Sequence, residues 1–100
     1  MEKPRISIPH ERIAEFCRKH RIARLSFFGS VTRKDFGPDS DVDVLIEFQP
    51  STHIGLGFFG LAAELEAILG RKVDLITPGF LGPEALEKIS SRAYVEYDGA

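Results

Sequence analysis

The sequence predicts an α/β (α+β) fold in which one small mixed β-sheet is flanked by helices. Three observations carry that reading. Segments with helical spacing of apolar residues alternate with short β-prone runs along the 100 residues. The pairs Gly37-Pro38, Pro78-Gly79 and Gly82-Pro83 fall between those segments and punctuate them. The run 41–48 is short and follows a tight connection, so the sheet is expected to be mixed, not all parallel.

Taken in order, Ser7 and Pro9 mark the first helix start, with Ser7 as the cap and Pro9 in the first turn. Ile13, Phe16 and Cys17 then recur at helical spacing as far as Lys19 and His20. Cys17 sits on that apolar stripe and reads as a small core hydrophobe. Residues 24–28 form a short strand that Gly29 ends, 30–35 one helical turn, and 36–39 a loop. In the strand 41–48, Val42, Val44, Ile46 and Phe48 share one face. Asp41, Asp43, Leu45 and Glu47 share the other, because strand side chains alternate. Gln49-Pro50-Ser51 breaks the strand. Phe58, Leu61, Ala62, Leu65, Ile68 and Leu69 make the clearest amphipathic helix, closed by Gly70. A strand over 72–77 follows, then the Pro78-Gly79 turn. Pro83 suits the first turn of a last helix running to about Ser91, and 94–97 is a closing strand or extended tail.

Composition bounds what such a fold does. Residues 1–100 read as a single domain whose 43% apolar content supports a real core. The net charge of −2 leaves no basic footprint for duplex DNA or RNA, although one nucleotide with a cation remains possible. One cysteine excludes an intrachain disulfide and a Cys-rich zinc site. No run approaches the roughly 18 consecutive apolar residues of a membrane span. The opening MEKPRISIPHER lacks the apolar stretch of a secretory signal, so a cytoplasmic protein is expected.

The chemistry concentrates in FFGSVTRKDFGPDSDVDVLIEF, where Gly29-Ser30 precede Asp41-Val42-Asp43 by ten residues. Phosphoryl-type transfer asks a protein mainly for positioned phosphates and neutralised charge. Gly29 ends a strand without a side chain, so a triphosphate can approach the backbone. Ser30 opens a helical turn and can offer its hydroxyl and nearby N–H groups to phosphate oxygens. Asp41 and Asp43, two apart on a strand, point the same way and suit one or two hard cations. Asp74, a charge within the apolar strand KVDLIT, is the candidate third carboxylate, its other reading being an edge-strand acid that faces solvent. Arg33, three residues past Ser30, reads either as a group that reaches phosphates or an acceptor or as an exposed helix cation. Lys34 and Lys72 read as surface charges, Asp35 and Asp39 as turn groups. The three histidines show no metal spacing, and the Arg5 and His10 pair is discounted because Pro9 interrupts it.

This pattern resembles the DNA polymerase beta superfamily of nucleotidyltransferases. Within it, the length, GSVTRKDFGPDSDVDVLIEF, LGRKVDLITP and the closing helix with its Tyr-containing tail resemble the minimal nucleotidyltransferases (MNT). The resemblance implies that Gly29 and Ser30 hold a nucleoside triphosphate, and that Asp41 and Asp43 are the principal Mg²⁺ ligands. Asp74 is then the third carboxylate and helps to deprotonate the acceptor hydroxyl. It further implies an antitoxin that moves AMP from ATP to a tyrosine of a HEPN-domain toxin, its partner. The chain ends about twenty residues after the Asp74 strand, so the acceptor is expected to come from outside it. Two other readings stand beside this one: an antitoxin that neutralises by occlusion alone, and a small-molecule nucleotidyltransferase. A glycosyltransferase using Asp-x-Asp is weaker, since room for a sugar-nucleotide domain is lacking.

Overall fold

The computed structural model describes residues 4, 6–32, 36, 37, 40–50 and 57–99. The elements run α1 (His10–Lys19), β1 (Ile22–Phe28), a 3₁₀ turn (Gly29–Thr32), β2 (Val42–Phe48), α2 (Gly57–Leu69), β3 (Val73–Ile76), a second 3₁₀ turn (Pro78–Phe80), α3 (Pro83–Arg92) and β4 (Tyr94–Asp98). The four strands form one sheet in the order β3-β2-β1-β4. β1 is antiparallel to β2 and to β4, while β2 and β3 are parallel. The sheet is therefore mixed, and α2 is the crossover that the parallel pair requires.

The expectation for the start of α1 is corrected. Pro9, not Ser7, occupies the capping position, and no side chain caps this end. Proline disfavours helical backbone in the residue before it, so the helix cannot begin earlier. The Pro9 carbonyl accepts the first turn's bond from Ile13 N–H at 3.0 Å. β1 starts two residues before the expected 24–28. Arg21 takes a positive φ of 57°, which turns the chain sharply after α1 and lets fully buried Ile22 pair with Phe48. The run 94–97 resolves as a true strand, β4, and α2 ends at Gly70 with φ 70°.

The core lies between one sheet face and the two helices α1 and α2. Ile13, Phe16 and Cys17 of α1 and Leu61 and Leu65 of α2 pack with Leu25, Phe27, Val42, Val44, Ile46 and Leu75. Each fully buried aliphatic or aromatic side chain contributes about 1.5–3 kcal/mol of transfer free energy. Cys17 is part of this core, as expected, and burial, then the nearby Glu96 charge, pushes its thiol up to about 12. It stays protonated and inert. α1 and α2 are also tied at the rim by Glu64, which accepts from Lys19 Nζ at 3.1 Å and lies 3.0 Å from His20 Nε2. His10 Nδ1 meets Glu96 at 2.5 Å and links the start of α1 to β4. α3 differs: it buries no residue fully, and Leu86 and Ile89 are only half-covered. Among the described residues no helix is long and apolar enough to cross a membrane.

Candidate functional site

The site forms where β1 gives way to the 3₁₀ turn, beside the start of β2. β1 is apolar enough to bury Leu25 and Phe27 completely, and this fixes where its last residue stops. Gly29 then turns the chain with φ 73°, a conformation that costs other residues about 1–2 kcal/mol. The turn itself is held by a hydrogen bond from Thr32 Oγ1 to the Gly29 carbonyl, 2.8 Å, and by fully buried Val31. Ser30 is half-exposed beside Gly29.

Across the ladder, Phe28 is the register partner of Asp43, and Asp43 is in turn the partner of Asp74. Paired residues project to the same side of a sheet. Asp43 and Asp74 therefore stand side by side on the face opposite the core, at the end of the sheet where Gly29 turns. Gly29 is needed here twice over. Besides its φ, a Cβ added to it would overlap Oδ2 of Asp43 and lie 3.2 Å from Cγ. The Asp43 carboxylate thus covers the bare backbone of Gly29. Asp41 precedes the first ladder pair of β2 and is exposed, so the strand is one residue shorter than the expected 41–48. Asp74 is exposed as well, on edge strand β3, while Asp43 is half-buried.

Five of the six expected site residues, Gly29, Ser30, Asp41, Asp43 and Asp74, thus lie on adjoining elements at one end of the sheet. The sixth, Arg33, lies outside the described residues, as do Lys34, Asp35 and Asp39. Among the described residues, no group of three or more His, Cys, Asp or Glu side chains is gathered closely enough to enclose a metal ion by itself. What the acids offer is an oxygen-only donor set, the kind hard cations such as Mg²⁺ prefer.

One residue beside the site escaped the sequence reading. Arg71, in the turn between α2 and β3, donates to the Gly37 carbonyl at 2.8 Å and to the Ser40 carbonyl at 3.4 Å. Its guanidinium stands 4.5 Å from the centroid of the Phe36 ring. Gly37 and Ser40 also bond each other, Ser40 N–H to the Gly37 carbonyl and Gly37 N–H to Ser40 Oγ, both at 3.1 Å. The available signal was Gly70-Arg71-Lys72, a charged turn directly before the Asp74 strand.

Known proteins resemble this chain in sequence and in fold. A profile of the nucleotidyltransferase domain matches residues 10–95. A candidate protein adenylyltransferase of Methanocaldococcus jannaschii is 36% identical over 75 residues, which are 75% of this chain and 80% of that protein. The solved structure of a candidate minimal nucleotidyltransferase superposes with a TM-score of 0.71 at 32% identity, covering 84% of this chain and 85% of the other. A chain from a tri-AMPylated Shewanella oneidensis HEPN toxin in complex with an MNT antitoxin superposes with a TM-score of 0.65. Its identity is 18% over 89% of this chain and 69% of that one, a likeness of fold.

Proposed function

We propose that this chain, which belongs to the nucleotidyltransferase domain family, transfers AMP from ATP to a hydroxyl of a partner protein and so acts as an antitoxin. The observation that carries the reading is the register Phe28–Asp43–Asp74 with Gly29 bare beneath the Asp43 carboxylate. It sets two acids on a single sheet face, one of them packed against the side-chain-free backbone from which the chain turns into Ser30.

In this reading the backbone at Gly29 and the hydroxyl and N–H of Ser30 hold the triphosphate, with Arg33 as a further phosphate contact. Asp41 and Asp43 are the principal ligands of a divalent cation, with Asp74 beside them. The cation supplies charge neutralisation on the triphosphate. Mg²⁺ is commonly held by one or two carboxylates together with substrate phosphates and water. The acids here therefore need to provide only part of a shell, consistent with their spacing. The acceptor oxygen attacks the α-phosphorus, the bond from that phosphorus to the bridging oxygen breaks, and pyrophosphate leaves. Asp74 takes the hydroxyl proton; its exposure on an edge strand suits an acceptor as large as a protein.

The relative named as an adenylyltransferase and the complex of an AMPylated HEPN toxin with an MNT antitoxin support a HEPN toxin as the partner. A tyrosine as the modified group is what the family resemblance implies. The test is transfer of label. Incubated with ATP labelled at the α-phosphate and Mg²⁺, the chain should label the protein encoded beside it, and Asp41→Asn should abolish the label. Label that survives this substitution refutes the assignment. An Asp41→Asn protein that transfers nothing yet still protects cells replaces catalysis with occlusion as the neutralising act.

A further inference from the structure

We infer that Arg71 is a positioning residue for the acidic pair, an inference that rests on the reading of Asp41 and Asp43 as metal ligands. The sheet fixes Asp43, which is paired on both sides. It fixes Asp41 on one side only, because the first ladder pair of β2 with β3 is Val42 with Val73. The side that leads into Asp41 lies outside the ladder and must be oriented by something else, and Arg71, next to Lys72 in the same turn, does this.

A peptide group is planar, so a hydrogen bond to its oxygen or nitrogen orients all six atoms, including the next Cα. Arg71 holds the carbonyl of Ser40, and thereby the plane that leads into Asp41. The carbonyl of Lys72 accepts from Val42 N–H at 2.9 Å, and thereby holds the plane that leads out. Both peptide planes flanking Asp41 are thus tied to two consecutive residues of one turn. That turn continues directly into β3 and Asp74, so the three carboxylates are set relative to each other through a few covalent bonds. Gly70, with its φ of 70°, aims the turn.

Arginine is required by the geometry. Its planar, multiply donating guanidinium bonds the Gly37 and Ser40 carbonyls while it stands over Phe36. A lysine ammonium has charge and donors but no plane to stack, and does not reproduce the arrangement. Because Gly37 and Ser40 also bond each other, the guanidinium closes a small hydrogen-bonded unit.

The experiment separates metal-dependent from metal-independent nucleotide binding. Affinity for ATP is measured with and without Mn²⁺, with bound Mn²⁺ followed by electron paramagnetic resonance, for the natural chain, Arg71→Ala and Arg71→Lys. The gain in ATP affinity that Mn²⁺ confers should fall about 10–100-fold in Arg71→Ala, the usual range for residues that orient metal ligands. Affinity for metal-free ATP, which relies on Gly29 and Ser30, should not change. Dilute guanidinium ion should restore part of the loss in Arg71→Ala and none in Arg71→Lys. An unchanged Mn²⁺ gain, or an equal loss with and without metal, overturns the inference, the second outcome making Arg71 a stabilising residue only. If Arg71→Ala does not fold, Arg71→Lys carries the same comparison. A natural chain with no Mn²⁺ gain at all refutes the metal-site reading itself and the inference with it.

Discussion

The two faces of β2 are built from alternate residues of one seven-residue strand, yet they do opposite things. Val42, Val44 and Ile46 are completely buried against α1 and α2. Asp43 and Glu47, on the other face, keep partial contact with water, and only Leu45 between them is buried. One face provides stability through apolar burial. The other holds carboxylates side by side, where like charges repel, a cost that the proposed cation would offset. The difference shows that the fold and the site can be perturbed separately, although they are one residue apart in sequence.

The largest expected effect is on the acid face. Asp43→Asn keeps size and shape but removes the charge, and should lower AMP transfer by about 10³-fold, equivalent to roughly 4 kcal/mol of transition-state stabilisation. Its thermal midpoint should stay the same or rise, read by calorimetry without nucleotide. On the core face, Ile46→Ala should cost about 2–5 kcal/mol of stability by denaturant unfolding. Transfer per folded molecule should then be unchanged, and a loss of both together would erase the distinction between the faces. Gly29→Ala crosses the boundary between them. The positive φ costs about 1–2 kcal/mol, and the added Cβ must push the Asp43 carboxylate aside. Transfer should therefore fall far more than stability does.

The smallest effect is electrostatic and belongs to the rim of the core. Burial raises the Glu64 pKa, but hydrogen bonds from His20 and Lys19 outweigh this and leave it below the usual carboxylate value. A depressed carboxylate contributes stability above its unfolded pKa and loses it as pH falls through the folded one. The natural protein should therefore have a higher thermal midpoint than Glu64→Gln near neutral pH, and the gap should close as pH falls through the Glu64 pKa.

The same alternation explains how much was legible in the sequence. The period of two in 41–48 named both faces of β2 correctly, and the helical period of Phe58 through Leu69 gave α2 and its end at Gly70. The Gly29-Ser30 and Asp41-x-Asp43 spacing pointed to the end of the sheet where these residues gather, because local rules of turn and strand determine it. Other features depend on distant pairing. Nothing local says that Ile22 pairs with Phe48, or that 94–97 becomes an edge strand against β1. The capping position went to Pro9 over Ser7 because a backbone restriction prevailed over a side-chain preference. Arg71 was passed over for the same general reason: its role is visible only once residues more than thirty positions away are in contact.

The most direct test of the central claim is a calorimetric titration of ATP into the purified chain with Mg²⁺, beside an Asp41→Asn/Asp43→Asn control of unchanged fold. The account predicts binding that requires Mg²⁺ and disappears in the control. Equal binding by both proteins would contradict it, since the carboxylates would then have no part in holding the nucleotide.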